Sequence, residues 1–414
     1  IGGGSSGRSI FAARTVSTAK QNGLDALAKK DYATAQAEFE ASLKADRNDP
    51  ESLIYLNNAK IGDSSAYSMA VSVPAGNAVN PALEILRGVA QAQTDINEAG
   101  GISGTPLKVL IFNDDGDPSV AAKVAAELVA DSAVLGVVGH YTSDTTLGAA
   151  SVYEAGKLPM ISPTSTAVKI AEAGDYIFRT VPSDRLASAT IARYTLNSLN
   201  KTKAVVFYNG NSTYSLSVKS EFTQELLSGG GEVVASFDST ESGFNAGQAL
   251  QQAKDAGAEV IMLDLTTDTV ETSFDIINAN DQELPLIGND DLYDPRILKE
   301  SGAKAKGLTV AVPWHILSHL QSPFVAESRR LWGGDVSWRT VMAYDATEAF
   351  AAAIAQDPTR EGVEAALSAS GFSAQGATNT VSFFPSGDRN QPSQLVTIVP
   401  GKAAGADYTY EPVQ

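Results

Sequence analysis

Cysteine is absent from the 414 residues and histidine occurs three times. With no thiol there is no disulfide framework, no thiolate metal site and no cysteine nucleophile, and three histidines alone make no closed zinc set. The lack of cysteine suits an oxidising compartment. Long apolar runs are missing too, since none approaches the ~18 residues that a membrane-spanning helix needs. Positive charge is scarce: 30 Lys and Arg stand against 48 Asp and Glu, a net charge of −18. Binding a phosphate backbone needs a basic surface that releases counterions, so nucleic acid is not an expected partner, and anionic lipid is disfavoured. What is present is an ordinary globular composition, 43% hydrophobic and 19% charged. At ~100–200 residues per domain, the length calls for two or three domains.

Signals of catalysis are thin. Gly2–Gly7 (GGGSSG) fits both a dinucleotide fingerprint and a nucleophile elbow, but it precedes every strand, so neither structural condition is met. His140, His315 and His319 offer no closed zinc set, and His315 and His319, at i, i+4 without the surrounding HExxH motif, read as surface or hinge residues. Asp114–Pro118 (DDGDP) lacks the twelve-residue calcium loop with its closing glutamate. No nucleophile–base pair stands out. The expectation is a non-enzyme with no metal and no cofactor.

The opening IGGGSSGRS reads as a flexible linker over residues 1–15, left when a signal peptide or membrane anchor was removed. That places the protein outside the cytoplasm, with membrane anchoring through the removed segment as one option. Residues 16–65 read as helices: Ala26, Leu27, Tyr32, Ala35, Phe39 and Leu43 recur at helical spacing, Lys30-Asp31 separates two segments, and Asp49-Pro50-Glu51 starts a third. Gly23, Tyr32, Ala35, Phe39 and the run DRNDPE resemble a tetratricopeptide repeat, with Arg47 where that family has proline. About three stacked repeats are needed to bury a core, so this helical hairpin packs either on its own neighbour or on a protein partner.

From Tyr67 short apolar runs alternate with amphipathic ones, the sign of parallel strands joined by crossover helices. YSMAVSVP, LKVLIF, AVLGVVG and LPMIS are strands of a first α/β unit; AVVFY, EVVASF, EVIMLDL and LPLIG repeat the pattern after Asp184. Two such units imply two lobes. Ligands bind at the carboxyl ends of strands in open α/β sheets, which points to the loops after Val138, Ser162, Tyr208 and Gly288. Gly139–Asp144 and Ser162–Thr166 each lead from a strand toward a helix and put hydroxyls and backbone N–H groups at its start. Such loops suit a carboxylate, although serine and threonine there also serve as plain N-caps.

The runs DINEAGGISGTPLKV, DDGDPSVAAKVAAELV, GVVGHYTSDTT and LPMISPTSTAVKIAEAGDYIFRT, in this order, resemble the type I periplasmic solute-binding proteins of the branched-chain amino acid (leucine/isoleucine/valine-binding) family. The likeness runs from about Tyr67 to the C-terminus. It implies an α/β fold of two parallel-sheet lobes with a three-segment hinge, behind a small all-α extension over 16–65. Lobe 1 would take 66–184 and 313–379, and lobe 2 would take 185–312 and 380–414.

The resemblance also implies roles. Ser143, the backbone of Thr164, and Thr166 would hold a ligand carboxylate, with Tyr141 either walling the pocket or buried in the lobe surface. Tyr214 stands at the aromatic of a YG pair, with Ser215 for the glycine, and would lie against an aliphatic ligand. Asp290 falls where amino-acid binders place an acid against the ammonium; Asp291 is an alternative, and both could cap the helix after Tyr293. Trp314 would sit near the hinge and cleft rim, or in the core. LDLTTDT, with Thr266 where a second aromatic is usual, and Asn80-Pro81 depart from the pattern. The implied work is capture of a small aliphatic amino acid for an ABC permease by closure of two lobes. The corresponding 2-oxo acid is the alternative ligand, and a ligand-sensing receptor domain for amides or amino acids the alternative role.

Overall fold

The computed structural model describes residues 8–11, 15–403 and 405–413. The chain divides into two compact units, crossing from one to the other three times. Unit 1 runs to Val181 and resumes over His319–Asn390; unit 2 comprises Pro182–Ser318 and the segment from Gln391.

Unit 1 is built on five parallel strands, β1 (Tyr67–Val73), β2 (Leu107–Asn113), β3 (Val134–Val138), β4 (Met160–Ser162) and β5 (Ile177–Arg179), in the order β2-β1-β3-β4-β5. The helix Val79–Glu98 lays its expected stripe, Ile85, Leu86, Val89, Ala92 and Ile96, into the core. It approaches the helix Trp338–Gln356 so closely that a Cβ on Gly88 would lie 2.1 Å from the Thr340 carbonyl oxygen, so only glycine fits.

Unit 2 has a seven-stranded sheet. β6 (Lys203–Tyr208), β7 (Glu232–Asp238), β8 (Val260–Asp264), β9 (Leu286–Gly288) and β10 (Thr309–Val312) are parallel neighbours in the order β10-β9-β8-β6-β7. The small pair β11 (Ala374–Gln375) and β12 (Thr380–Val381) belongs to unit 1. The chain then returns as β13 (Gln394–Ala403) and β14 (Ala406–Pro412), which extend the unit 2 sheet antiparallel beyond β10.

These bounds shift the expected lobe limits. Pro313–Ser318 stays with unit 2, where Gln391 Nε2 donates to the Pro313 carbonyl at 2.7 Å and Ser318 Oγ donates to Gln394 Oε1 at 3.1 Å. Residues 380–390 stay with unit 1, because Asp388 accepts from Arg179 Nε at 2.7 Å and Arg389 pairs with Asp345 at 2.9 Å.

The N-terminal region holds three helices, Thr18–Ala28, Tyr32–Ala45 and Pro50–Ile61. Ser17, Asp31 and Asp49 each accept from a backbone N–H of the first turn, which terminates all three at the expected places. The Gly23 Cα lies so near the Phe39 ring that a Cβ would be 2.8 Å from it, and Phe39 stacks on Tyr55 at 5.7 Å. The third helix is buried except at Lys60. From it Asn58 reaches the outer edge of β2, donating to the Val109 carbonyl at 2.7 Å and accepting its N–H at 3.2 Å. An edge strand exposes unpaired backbone groups, and here one side chain satisfies two of them. The region packs on its own neighbour.

The reading of residues 1–15 as a linker needs correction. Residues 1–7, which include the GGGSSG run, and 12–14 lie outside the described residues, but Ile10 and Phe11 are buried. Ser9 Oγ and Ile10 N–H both donate to Glu51, at 2.6 and 2.8 Å, while Lys20 reaches Glu51 at 2.7 Å and Asp49 at 2.8 Å. This buried cluster ties the segment to the third helix.

Candidate functional site

In unit 1, β3 ends at Val138 and the helix Ser143–Ala155 begins under a reciprocal cap between Thr142 and Thr145. The loop after β4 lies against this start. Thr164 Oγ1 donates to the Tyr141 carbonyl at 2.7 Å, Ser162 Oγ and Ser165 Oγ to the His140 carbonyl at 2.8 and 3.1 Å, and the Ala167 N–H to Ser143 Oγ at 3.2 Å. Tyr141, Ser143, Thr164 and Thr166, named from sequence, are thus brought together and all are buried. Among the described residues, Thr166 Oγ1 has no hydrogen-bond partner. A buried hydroxyl in that state calls for an explanation.

Two supports of this loop were not foreseen. Arg179 is fully buried and donates through Nη1 to the carbonyls of Ala167 and Ser165, at 2.7 and 3.2 Å, setting a cation behind the loop. His140 is wholly enclosed. Its Nδ1 lies 2.7 Å from Asp114 Oδ2 and its Nε2 2.9 Å from the Tyr153 hydroxyl, so both nitrogens are spent on structure. Burial pushes the Asp114 carboxyl up, yet the bond and charge of His140, with the Gly116 N–H and the Ser72 hydroxyl, outweigh it and hold it below its ordinary value. The DDGDP run therefore supplies this carboxylate and, in Asp117, the cap of the helix Pro118–Ala130.

In unit 2, Tyr214 lies at the start of the helix Thr213–Ser228, packed in the apolar core beside Val218 and Met262. Its hydroxyl donates to Asp290 Oδ1, so these two predicted residues meet. Burial, and then the negative charges of Asp290, Asp291 and Asp184, push the Tyr214 hydroxyl well above its ordinary pKa. It stays a donor at every ordinary pH. The capping alternative goes to neither Asp290 nor Asp291: Asp294 caps the helix Pro295–Glu300, and Asp291 Oδ2 accepts the Thr267 N–H at 3.0 Å. Asp264 is fully buried and accepts from Asn289 Nδ2 at 2.9 Å, and burial pushes its carboxyl well above the usual range.

A small pocket opens within unit 2 between the helix Asp184–Arg193 and the strand ends. Asp184, Ser188, Tyr214, Met262, Asn289 and Asp290 line it with other residues. Trp314, expected near the rim or in the core, is 1% exposed and belongs to unit 2. His315 packs edge-on against Tyr293, and the turn after it, Ile316–Ser318, is 3-10, so the i, i+4 histidines do not share an α-helical face. Thr266 accepts from Asn209 Nδ2 at 2.8 Å. Among the described residues no group of three His, Cys, Asp or Glu side chains is arranged to hold a metal ion.

A hydroxyl loop at one set of strand ends and an acidic aromatic pocket at another are what a binding protein for small charged molecules presents. The sequence model for the periplasmic binding proteins matches residues 75–406. The chain belongs to this family. It is 33% identical over 178 residues to an amino acid binding protein of Pseudomonas aeruginosa, covering 42% of this chain and 47% of that one. It is also 31% identical over 178 residues to the leucine-, isoleucine-, valine-, threonine- and alanine-binding protein of the same organism, 42% of this chain and 46% of that protein. The aligned part thus spans about half the length of these relatives. The structure is similar to that of the branched-chain amino acid transporter substrate binding protein of Streptococcus pneumoniae solved with isoleucine. The TM-score is 0.72 at 21% identity, over 84% of this chain and 100% of that one. That likeness shows the fold: a type I periplasmic binding protein with an added N-terminal helical region.

Proposed function

We propose that this member of the periplasmic binding protein family captures a hydrophobic, branched-chain amino acid outside the cytoplasm and delivers it to an ABC permease, without making or breaking a bond. The ligand carboxylate falls to unit 1, where Ser143, the Thr164 backbone and the Thr166 hydroxyl supply donors near a helix start. The ammonium falls to Asp290 of unit 2, beside the Tyr214 ring. Relatives named for amino acid binding at 33% and 31% identity support the ligand class. No helix among the described residues is long and apolar enough to cross a membrane.

The observation that carries the choice of an amino acid over a 2-oxo acid is the state of Asp290. It is 8% exposed, it takes a hydrogen bond from Tyr214, and the capping duty that could have occupied it is performed by Asp294. A buried carboxylate beside a tyrosine favours a cation and disfavours a carbonyl oxygen.

The test is thermal melting of protein stripped by unfolding and refolding, with leucine, isoleucine, valine and their 2-oxo acids. Ligand at about 1,000 times Kd adds ~4 kcal/mol, a shift of several degrees. The expected result is a shift with the amino acids that is lost in Asp290→Ala. A shift with the oxo acids alone would refute the ammonium assignment.

A further inference from the structure

The buried guanidinium of Arg179 divides between two places in unit 1. Its Nη1 donates to the carbonyls of Ser165 and Ala167, the residues on either side of Thr166, at 3.2 and 2.7 Å. Its Nε donates to Asp388 Oδ1 at 2.7 Å. Asp388 lies two residues before the chain leaves unit 1 at Asn390. The segment around it is bound to the end of β5 in both directions, since the Arg179 N–H donates to the Gly387 carbonyl at 3.0 Å and Arg389 Nη1 to the Thr180 carbonyl at 3.3 Å. Asp345 fixes Arg389 in turn, accepting from Nη2 at 2.9 Å. At the loop, the Ser165 and Ala167 N–H groups are held by Ser162 Oγ at 2.9 Å and Ser143 Oγ at 3.2 Å. Thr166 between them keeps a buried hydroxyl with no partner among the described residues. The setting of that hydroxyl depends on the bonds its two neighbours make, which is how a supporting layer preorganises a binding atom.

We infer that Arg179 is a positioning residue for anion binding: it sets Thr166 by pinning both flanking carbonyls, and through Asp388 it couples this loop to the segment from which the chain makes its third crossing. This rests on the reading that the loop receives the ligand carboxylate. Another cation cannot take the place of the guanidinium, because only its planar fork offers separate nitrogens to the carboxylate and to the two carbonyls. A lysine ammonium there keeps the charge and loses one of the two attachments. Binding at the loop and order in the segment are linked as a result, since a ligand that immobilises the loop removes freedom from whatever the same side chain holds.

The experiment combines calorimetric titration of leucine with amide hydrogen exchange over residues 384–390. It uses wild type, Arg179→Lys, Asp388→Ala, Asp388→Asn, Thr166→Val and the pairing of Thr166→Val with each of the first two, with melting curves to confirm folding. In wild type, leucine is expected to slow exchange of this segment about threefold or more. Arg179→Lys should weaken leucine binding about tenfold and abolish that slowing. Asp388→Ala should weaken it about fivefold, and Asp388→Asn, whose amide oxygen still accepts from Nε, should recover most of the loss. Adding Arg179→Lys to Thr166→Val should cost no more than about a further twofold, because a residue that acts through Thr166 has little left to lose. A role in stability alone would give additive losses, or leave the ligand-dependent slowing in place in Arg179→Lys; either result overturns this inference while the reading of the loop stands. Leucine binding unchanged in both Arg179→Lys and Asp388→Ala overturns it too. If Arg179→Lys does not fold, Asp388→Ala, alone and with Thr166→Val, gives the same readings. Leucine binding unchanged in Thr166→Val, or absent from wild type, would overturn the underlying reading and this inference with it.

Discussion

Several buried charges of unit 1 and the carboxyls beside the unit 2 pocket are met in different ways. Unit 1 closes its ionic groups against one another: Asp345 with Arg389 at 2.9 Å, Asp114 with His140 at 2.7 Å, Arg179 with Asp388 at 2.7 Å, and Lys20 with Asp49 and Glu51. In unit 2 neutral groups steady Asp290 and Asp264, through the Tyr214 hydroxyl and the Asn289 amide. A charge matched by an opposite charge builds structure and has little left for a ligand. An ionised carboxylate met by a neutral donor, as Asp290 is by Tyr214, keeps more of its field for a ligand cation. The same contrast separates the proposed roles, since unit 1 meets an anion with hydroxyls and backbone while unit 2 meets a cation with carboxylates.

The largest effect that would break the contrast is on stability. Arg389→Met leaves Asp345 buried without its cation, and removing one partner of such a pair costs about 3–5 kcal/mol. Thermal unfolding should show a fall of many degrees. A loss below about 1 kcal/mol would mean that unit 1 does not depend on its pairs. Next comes Thr166→Val, which removes a buried hydroxyl that has no protein partner among the described residues. Stability should hold or rise. Affinity for every carboxylate ligand should fall about tenfold or more, in keeping with ~1.5–3 kcal/mol for a hydrogen bond to a charged group. Amino acids and 2-oxo acids should lose alike, whereas Asp290→Ala should separate them. A ligand affinity untouched by Thr166→Val would remove that hydroxyl from the anion site.

Much of this architecture was legible from residue pattern. The eight strands read from apolar runs are present because each run is short, β-rich and bounded by turn residues. β14, ADYTYEP, was missed because its half-buried alternation is weak beside those runs. Ile10 and Phe11 were missed because two apolar residues have no period, and Glu51, which accepts the Ile10 N–H, is 41 positions away. The unit 1 loop was found through the strand-to-helix pattern and its ligand-facing candidates through the family resemblance, but Arg179 was not, since it acts through backbone carbonyls that carry no sequence signature. Asp294 could have been found: an aspartate before proline caps a helix at Asp49, at Asp117 and again here. The unmet state of the Thr166 hydroxyl had no signal at all, because an unmet hydrogen bond is a property of tertiary packing.

The smallest expected effect concerns two of the carboxyls that burial pushes up, Glu348 in unit 1 and Asp264 in unit 2. In unit 1, burial and then the nearby Asp95 charge push Glu348 up to about 8, and Tyr344 beside it donates its hydroxyl to Asp95 at 2.8 Å. A carboxyl whose folded pKa lies above its unfolded value of 4.5 contributes stability fully below that value. The contribution is lost as pH rises through about 8, because the folded state must then carry a charge it disfavours. Glu348→Gln has no proton to lose. Its stability should equal that of wild type near pH 4 and exceed it by about 1–3 kcal/mol near pH 9, with the gap opening across that window. In unit 2, Asp264→Asn should follow the same direction, since burial also pushes Asp264 up. Chemical unfolding of each variant at several pH values reads both gaps. A pH-independent offset would show that packing and not protonation separates the variant from wild type. A gap for Asp264 that closes on adding leucine would mean that ligand charge reaches this carboxylate, which would join it to the cation-binding face of unit 2.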